Sequence, residues 1–139
     1  MQYAALPHRL TKDGALEILL VTTRQTGRWI IPKGWPIKRL QPPKSAAREA
    51  FEEAGVRGKI GAKAVGVFAY EKQLENEGVT VPCEVKVFPL LVKRQAKTWL
   101  ESEQRIAQWF EPEKAVSLIG EPGLKALISE FVKKRAVST

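Results

Sequence analysis

The feature that most constrains the fold is a short segment in which alanines and glutamates recur with the period of a helix. It covers residues 45–54, after a stretch interrupted by prolines, and Gly55 follows it where a helix commonly ends. At about 100° per residue, Glu49, Glu52 and Glu53 fall within one arc of this helix. The sequence therefore predicts a helix with one carboxylate side, capped at its start by Ser45 or a residue just before it.

The opposite side of this helix predicts how it packs. Its residues are small apart from one phenylalanine: Ala47, Ala50, Phe51 and Ala54. Small side chains let a helix axis approach a sheet closely and be held there firmly. The carboxylates are therefore expected at a fixed position beside the sheet.

The rest of the chain predicts an α/β protein. Apolar and β-branched runs indicate strands at Tyr3–Arg9, Leu16–Thr23, Gly27–Pro32, Ala64–Tyr70, Val79–Lys93 and Ile106–Phe110. The first two are joined by a turn-forming Lys-Asp-Gly and are predicted to pair as a hairpin. Residues 33–44 are predicted as a loop, and helices are expected at 113–118 and 122–134. Strands framed by helices favour an α/β/α layered fold with one domain over residues 1–139.

Rare residue types limit the chemistry that the chain can perform. Cys83 is the only cysteine, so an internal disulfide and a multi-thiolate zinc site are excluded. His8 is the only histidine, which excludes a histidine-rich metal site. We assign neither residue a functional role. The remaining candidates for catalysis are mainly carboxylates.

The charge balance points to anionic partners. The chain carries 23 basic against 15 acidic residues, a formal net charge of +8. Such a molecule attracts anions as a whole, and nucleic acid, a phospholipid surface, phosphorylated metabolites and a merely solubilising surface all remain open. No apolar run is long enough for a membrane span and the start does not read as a signal peptide. We expect a cytoplasmic protein, and the sequence leaves its oligomeric state open.

The glutamates of the helix need neutralisation. Three like charges at spacings of three and four residues repel one another. Arg48, four residues before Glu52, is expected to offset one of them. A hard divalent cation with oxygen ligands would neutralise the remaining negative charge. Magnesium is suitable because it prefers a small number of carboxylates together with waters and phosphate oxygens.

These residues resemble a known motif. Gly34 followed by Arg48-Glu49-Ala50-Phe51-Glu52-Glu53-Ala54-Gly55-Val56 resembles the Nudix box at the required spacing. Trp29 to Gly34 resembles the strand that leads into the box, and Trp99 to Phe110 resembles a later segment of the diphosphoinositol polyphosphate and diadenosine polyphosphate hydrolases. The resemblance implies the Nudix α/β/α sandwich and a hydrolase that uses Mg²⁺ or Mn²⁺ to cleave a phosphoanhydride bond.

The resemblance also implies roles for the helix. Glu49, Glu52 and Glu53 would bind metal together with the backbone carbonyl of Gly34, and Arg48 would belong to the catalytic set. A metal-bound water would attack phosphorus while a carboxylate accepts its proton, and Glu52 or Glu53 is the candidate base. A further carboxylate often completes such a site. The turn after the long strand offers Glu101 and Glu103, and the strand itself offers Glu84 as a weaker choice.

Basic residues near the box are candidates for substrate phosphates. The loop before the helix contains Lys33, Lys38 and Arg39, and Arg28 lies just upstream. Their charge suits an anionic substrate, although ordinary solvated side chains explain them nearly as well. Trp35, inside a Gly-Trp-Pro loop, is the tryptophan expected to line the pocket rather than the core.

One departure from the box leaves two functions open. Leu40 stands where the box has its first glutamate, a residue that supports the metal-binding glutamates. The first hypothesis is a phosphoanhydride hydrolase acting on dinucleoside polyphosphates or diphosphoinositol polyphosphates. The alternative is a catalytically weakened Nudix-fold module that binds nucleotides or RNA. Three mutually repelling carboxylates favour the first, because a pure binder has no need of them.

Overall fold

A mixed β-sheet forms the centre of the computed structural model. The structure describes residues 1–24, 26–74 and 78–137, and of residues 136 and 137 it describes the backbone only. Its strands in that part of the chain are β1 Gln2–Leu10, β2 Leu16–Thr22, β3 Trp29–Ile30, β4 Lys33–Gly34, β5 Val56–Ile60, β6 Gly66–Gln73, β7 Thr80–Gln95 and β8 Ala107–Phe110. Three helices accompany them, α1 Pro42–Ala54, α2 Pro112–Leu118 and α3 Pro122–Val137. The mixed sheet with flanking helices confirms the predicted fold class.

The strand order explains how distant segments meet. The sheet runs β3-β2-β1-β7-β5, with β4 also pairing with β1, β6 with β7 and β8 with β2. β1 and β2 form the predicted antiparallel hairpin, with Leu10 opposite Leu16. β1 and β7 pair in parallel from Gln2 opposite Val85 to His8 opposite Leu91. Parallel neighbours need a long crossover, and α1 lies within the one that joins these two strands.

Both faces of the sheet are covered. Ala4, Ala5 and Leu6 follow one another in β1, so their side chains point to alternate faces, yet none is exposed to solvent. α1 packs against β1, β4, β5 and β7, whereas α3 packs against β6 and α2 against β2. The core therefore extends through an α/β/α layered arrangement. No helix in the described part of the chain is long and apolar enough to cross a membrane.

The start of α1 differs from the prediction. The helix begins at Pro42 rather than near Ser45, and its N-cap, Gln41, makes no side-chain capping bond. Proline fits the first turn of a helix because its missing N–H would have no partner there. Ser45 is buried and its Oγ accepts a hydrogen bond from the Ile37 N–H at 3.1 Å. The prediction at the other end is confirmed, since Gly55 adopts the left-handed conformation with φ of 71°.

The core side of α1 is also rotated from the prediction. The helix buries Ser45, Ala46, Ala50, Glu53 and Ala54. Ala47 and Phe51, which were predicted to be core, are half-buried and line a surface cavity instead. The rotation moves one glutamate into the interior, and this burial shapes the site.

Strand boundaries show two further differences. β5 was not predicted, because its sequence, Val-Arg-Gly-Lys-Ile, has three exposed central residues and a register shift at Gly58. The segment 33–44 was predicted to be loop throughout, but Lys33 and Gly34 pair with β1 as β4. This short strand carries the glycine of the motif into the sheet.

Candidate functional site

The candidate site begins where α1 passes β4. Gly34 pairs with Tyr3 of β1, which fixes its backbone beside the helix. A Cβ at Gly34 would lie 2.5 and 2.7 Å from the two carboxylate oxygens of Glu49, closer than real contacts allow. The absence of a side chain at Gly34 therefore makes room for the Glu49 carboxylate against the strand.

Glu53 lies one turn along the helix from Glu49 and is buried, with 3% of its surface exposed. Burial raises the pKa of Glu53 to about 8, an increase that the nearby Arg105 opposes and the neighbouring Glu49 and Glu101 reinforce. Burial also raises the pKa of Glu49, and the charges of Glu52 and Glu101 add to this. Two carboxyl groups held this close favour a shared proton, or a cation in its place.

The segment that follows β7 docks on the end of α1. The Trp99 ring packs on the Cα of Gly55, and its Nε1 donates a hydrogen bond to the Glu53 carbonyl at 3.0 Å. The backbone N–H of Glu101 donates to the carbonyl of Glu52 at 3.0 Å. These contacts bring a third carboxylate, that of Glu101, to the acidic side of the helix.

Arg105 is the cation of this cluster. Its Nε donates to Glu101 Oε1 at 2.6 Å and lies 3.9 Å from Glu53 Oε1, and its NH1 donates to the carbonyl of Thr22 at 3.0 Å. Its side chain is 12% exposed, so these contacts are poorly screened by water. One arginine faces the carboxyl groups of Glu49, Glu53 and Glu101, which leaves the cluster with an excess of negative charge when they ionise.

The donor set fits a hard divalent cation with few protein ligands. Within residues 1–24, 26–74 and 78–137, no group of three or more acidic, cysteine or histidine side chains is arranged to hold a metal ion. Of the predicted glutamates, the structure brings Glu49 and Glu53 together, while Glu52 is half-buried beside them. Magnesium commonly takes one or two carboxylates and completes its shell with waters and phosphate oxygens. Glu49, Glu53 and the carbonyl of Gly34 match that preference.

Two of the predicted substrate-binding residues lie beside this cluster. Lys33 precedes Gly34 in β4, and its Nζ lies 4.9 Å from the centre of the Tyr70 ring. Burial lowers the pKa of Lys33, an effect that the charge of Glu53 partly offsets. Trp35, directly after Gly34, is 53% exposed. A cation therefore lies beside the acidic cluster, and an exposed aromatic side chain follows Gly34 in the chain.

Other predicted residues lie outside the cluster. Arg28 pairs with Glu121 at 3.6 Å, while Lys38 and Arg39 are exposed on the loop before α1. Glu103 is exposed, and Glu101 instead supplies the half-buried carboxylate of the turn. Glu84, the weaker alternative, is exposed as well.

Arg48 does not neutralise Glu52 as predicted. It is exposed, and it makes no ion pair within the residues that the structure describes. It lines a cavity together with Leu40 and Phe51 on the other flank of α1. The Arg48 side chain therefore extends toward this cavity rather than toward Glu52.

Sequence reasoning did not identify the roles of Arg105 and Trp99. Nothing in the local sequence shows that the turn containing Arg105 folds back onto α1. The available signal was the sequence itself from 99 to 105, in which two glutamates and an arginine follow a tryptophan. The i,i+4 spacing of Glu101 and Arg105 allows the ion pair that the structure shows.

The chain is similar to known proteins over most of its length. Residues 5–131 match the model of the NUDIX domain. The chain is 30% identical over 134 residues to Nudix hydrolase 21, chloroplastic, of Arabidopsis thaliana, a match over 94% of this chain and 65% of that protein. It is 34% identical over 106 residues to diphosphoinositol polyphosphate phosphohydrolase 3-alpha of Mus musculus, covering 74% of this chain and 60% of the mouse protein. The chain thus spans less than two thirds of the length of these two relatives.

The fold is also found among solved structures. The crystal structure of a binary complex of the C. elegans Ap4A hydrolase matches 97% of this chain and 96% of its own length, with a TM-score of 0.69 and 18% sequence identity. A likeness at this identity establishes the fold alone. The match of a family model over most of the chain establishes, in addition to the fold, the family to which the chain belongs.

Proposed function

Since this chain belongs to the family of NUDIX domains, we propose that it is a metal-dependent hydrolase. It cleaves a phosphoanhydride bond in a nucleoside or inositol diphosphate-containing substrate by attack of an activated water. The observation that carries the proposal is the pair of glutamates, Glu49 and Glu53, held together beside Gly34. Burying two carboxyl groups this close together costs folding free energy unless a cation binds between them while the protein functions.

Each residue of the cluster has its own role in the proposed reaction. Glu49, Glu53 and the carbonyl of Gly34 would hold Mg²⁺ or Mn²⁺. Such an ion lowers the pKa of a water and shields the negative oxygens of a diphosphate. Glu52, which is half-buried, is one candidate to accept the proton of the attacking water, and Glu53 is the other. Arg105 positions Glu101 and limits the repulsion around Glu53.

The substrate class follows from the surroundings of the cluster. The net charge of +8 attracts a highly anionic compound. Lys33 offers a cation beside Glu53, and Trp35 offers an exposed ring on which a planar group can stack. The names of the relatives support dinucleoside polyphosphates and diphosphoinositol polyphosphates as substrates. A cytoplasmic location and a single domain over residues 1–139 stay predictions.

The alternative is a weakened module that binds nucleotides or RNA without turnover, and Leu40 is its main support. In the structure Leu40 lines a cavity with Lys44 and Arg48 rather than the acidic cluster. The substitution therefore leaves Glu49 and Glu53 in place, and this favours the hydrolase.

The test is a hydrolysis assay with Mg²⁺ or Mn²⁺ and a panel of diphosphate compounds, including a dinucleoside tetraphosphate and a diphosphoinositol polyphosphate. We expect phosphate release by the wild type and a loss of at least about 100-fold in Glu49→Gln and Glu53→Gln. Glu113→Gln, an exposed glutamate of α2, is the matched control and should keep full activity. Activity that survives both site changes would overturn the assignment, and tight binding without release would favour the alternative.

A further inference from the structure

The surface cavity lined by Ala47, Arg48 and Phe51 lies on the flank of α1 that faces away from the carboxylates. It has a volume of about 350 Å³ and lies between the helix and β5. Leu40, Ala47 and Phe51, all half-buried, give it an apolar lining. Lys44, Arg48 and Arg57 line it as well, and no acidic residue does. A cavity of this size is within the range of small-molecule sites.

The cations of this cavity come from two elements. Lys44 and Arg48 lie one turn apart on α1, whereas Arg57 belongs to β5. The Arg57 guanidinium lies 4.0 Å from the centre of the Phe51 ring, which holds it over the rim. None of the three forms an ion pair within the described residues. Three uncompensated cations around an apolar floor attract an anion that also has an apolar part.

Leu40 explains why the charge is unbalanced. It lines this same cavity, at the position where the motif has a glutamate. A carboxylate there would lie among Lys44, Arg48 and Arg57 and would neutralise part of their charge. Leucine removes that counter-charge and adds apolar surface in its place.

We propose that this cavity binds a nucleoside diphosphate at a site separate from the hydrolytic cluster. Lys44, Arg48 and Arg57 contact the diphosphate, which carries about three negative charges at neutral pH. Leu40, Ala47 and Phe51, which line the cavity and are half-buried, contact the nucleoside. The body of α1 separates this site from Glu49 and Glu53, so both sites can be occupied together. The proposal does not depend on hydrolysis.

The first test measures ADP binding to the full chain by calorimetry, with excess EDTA so that no divalent cation supports binding at the acidic cluster. We expect a single site in the wild type and a Kd at least tenfold weaker in Arg57→Gln. Lys63→Gln removes one exposed positive charge that does not line this cavity, and it should change the Kd by less than twofold. Absence of ADP binding, or equal weakening by both variants, would overturn the proposal.

The second test uses Leu40 itself. Leu40→Glu should weaken ADP binding at least tenfold, whereas Leu40→Gln, of the same shape but uncharged, should weaken it by no more than about threefold. Equal Kd values for the two variants would contradict the electrostatic argument. Adenosine and inorganic phosphate serve as probes of the two parts, and each should bind at least tenfold more weakly than ADP. Phosphate binding as tight as that of ADP would show a bare anion site and would overturn the nucleotide assignment.

Discussion

The two flanks of α1 carry opposite charges and hold them in opposite ways. On the acidic flank, Glu53 is 3% exposed, and Glu49 fits against Gly34, where no side chain has room. On the cationic flank, Lys44 and Arg48 are exposed above an apolar floor. The same helix therefore presents a buried, rigid pair of carboxyl groups on one side and long, solvated cations on the other.

This difference indicates what each flank can bind. Buried carboxyl groups fixed by backbone contacts define a small volume with set distances, which suits a metal ion. Exposed lysine and arginine side chains reach several positions, which suits a larger anion whose shape varies. Burial, as well as the sign of the charge, therefore distinguishes the two flanks of one helix.

Among changes that test the difference between the two flanks, the largest effect on stability is expected at Arg105. Arg105→Met leaves the Glu101 carboxylate and the Thr22 carbonyl without their donor. Removing one partner of a buried ion pair commonly costs about 3 kcal/mol or more, and we expect urea unfolding to show a loss of that size. Arg24→Met, at an exposed arginine, should cost less than about 0.5 kcal/mol. Equal losses would mean that the acidic flank is not specially dependent on its cation.

The next effect concerns the fit of Glu49 against the strand. Gly34→Ala places a Cβ where the carboxylate lies, and such a displacement of a catalytic group costs about 100-fold in kcat/KM. Gly120→Ala is the matched control, because an added Cβ there meets nothing within 4 Å. Both variants should keep a cooperative melting transition. A Gly34→Ala enzyme with wild-type kcat/KM would show that the close approach has no functional role.

A third prediction uses the pH dependence of stability without metal. The pKa of Glu53 is raised from 4.5 to about 8 in the folded protein, so its stabilising contribution is present below pH 4.5 and is lost as the pH rises through 8. Between pH 5 and pH 8, Glu53→Gln should therefore gain about 2 kcal/mol or more of unfolding free energy relative to the wild type. Denaturant unfolding in EDTA measures this. Parallel curves for the two proteins would contradict the burial argument.

The smallest expected effect on stability concerns the cationic flank. Leu40→Glu supplies a counter-charge to exposed cations, which typically contributes about 0.5 kcal/mol of stability. The gain should appear relative to Leu40→Gln and should disappear at high salt. An equal effect in high salt would mean that the cations of this flank do not act through charge.

The sequence predicts the parts of the site that have local signals. The helical period of 45–54 and the terminal Gly55 located α1, and the turn at residues 12–14 located the hairpin. The spacing of Gly34 to Arg48 placed the glycine near the glutamates, and the structure brings Gly34 against Glu49. Each of these depends on residues close in sequence or on a motif with fixed spacing.

The remainder depends on tertiary packing and carries no such signal. A helical wheel cannot tell that α1 is rotated to bury Glu53 and expose Arg48, because the sheet decides which alanines face it. The choice of Glu101 over Glu103 depends on a turn held by Trp99 on the end of α1. β5 escaped prediction because its exposed lysine, glycine and arginine resemble a loop.

Metal binding at the acidic flank is tested by titrating Mn²⁺ into the metal-free protein and following the titration by electron paramagnetic resonance. We predict that the wild type binds Mn²⁺ at one class of sites, that Glu49→Gln weakens the Kd at least tenfold, and that Lys44→Gln on the opposite flank changes it less than twofold. The account would be contradicted by a Glu49→Gln protein that binds Mn²⁺ as tightly as the wild type.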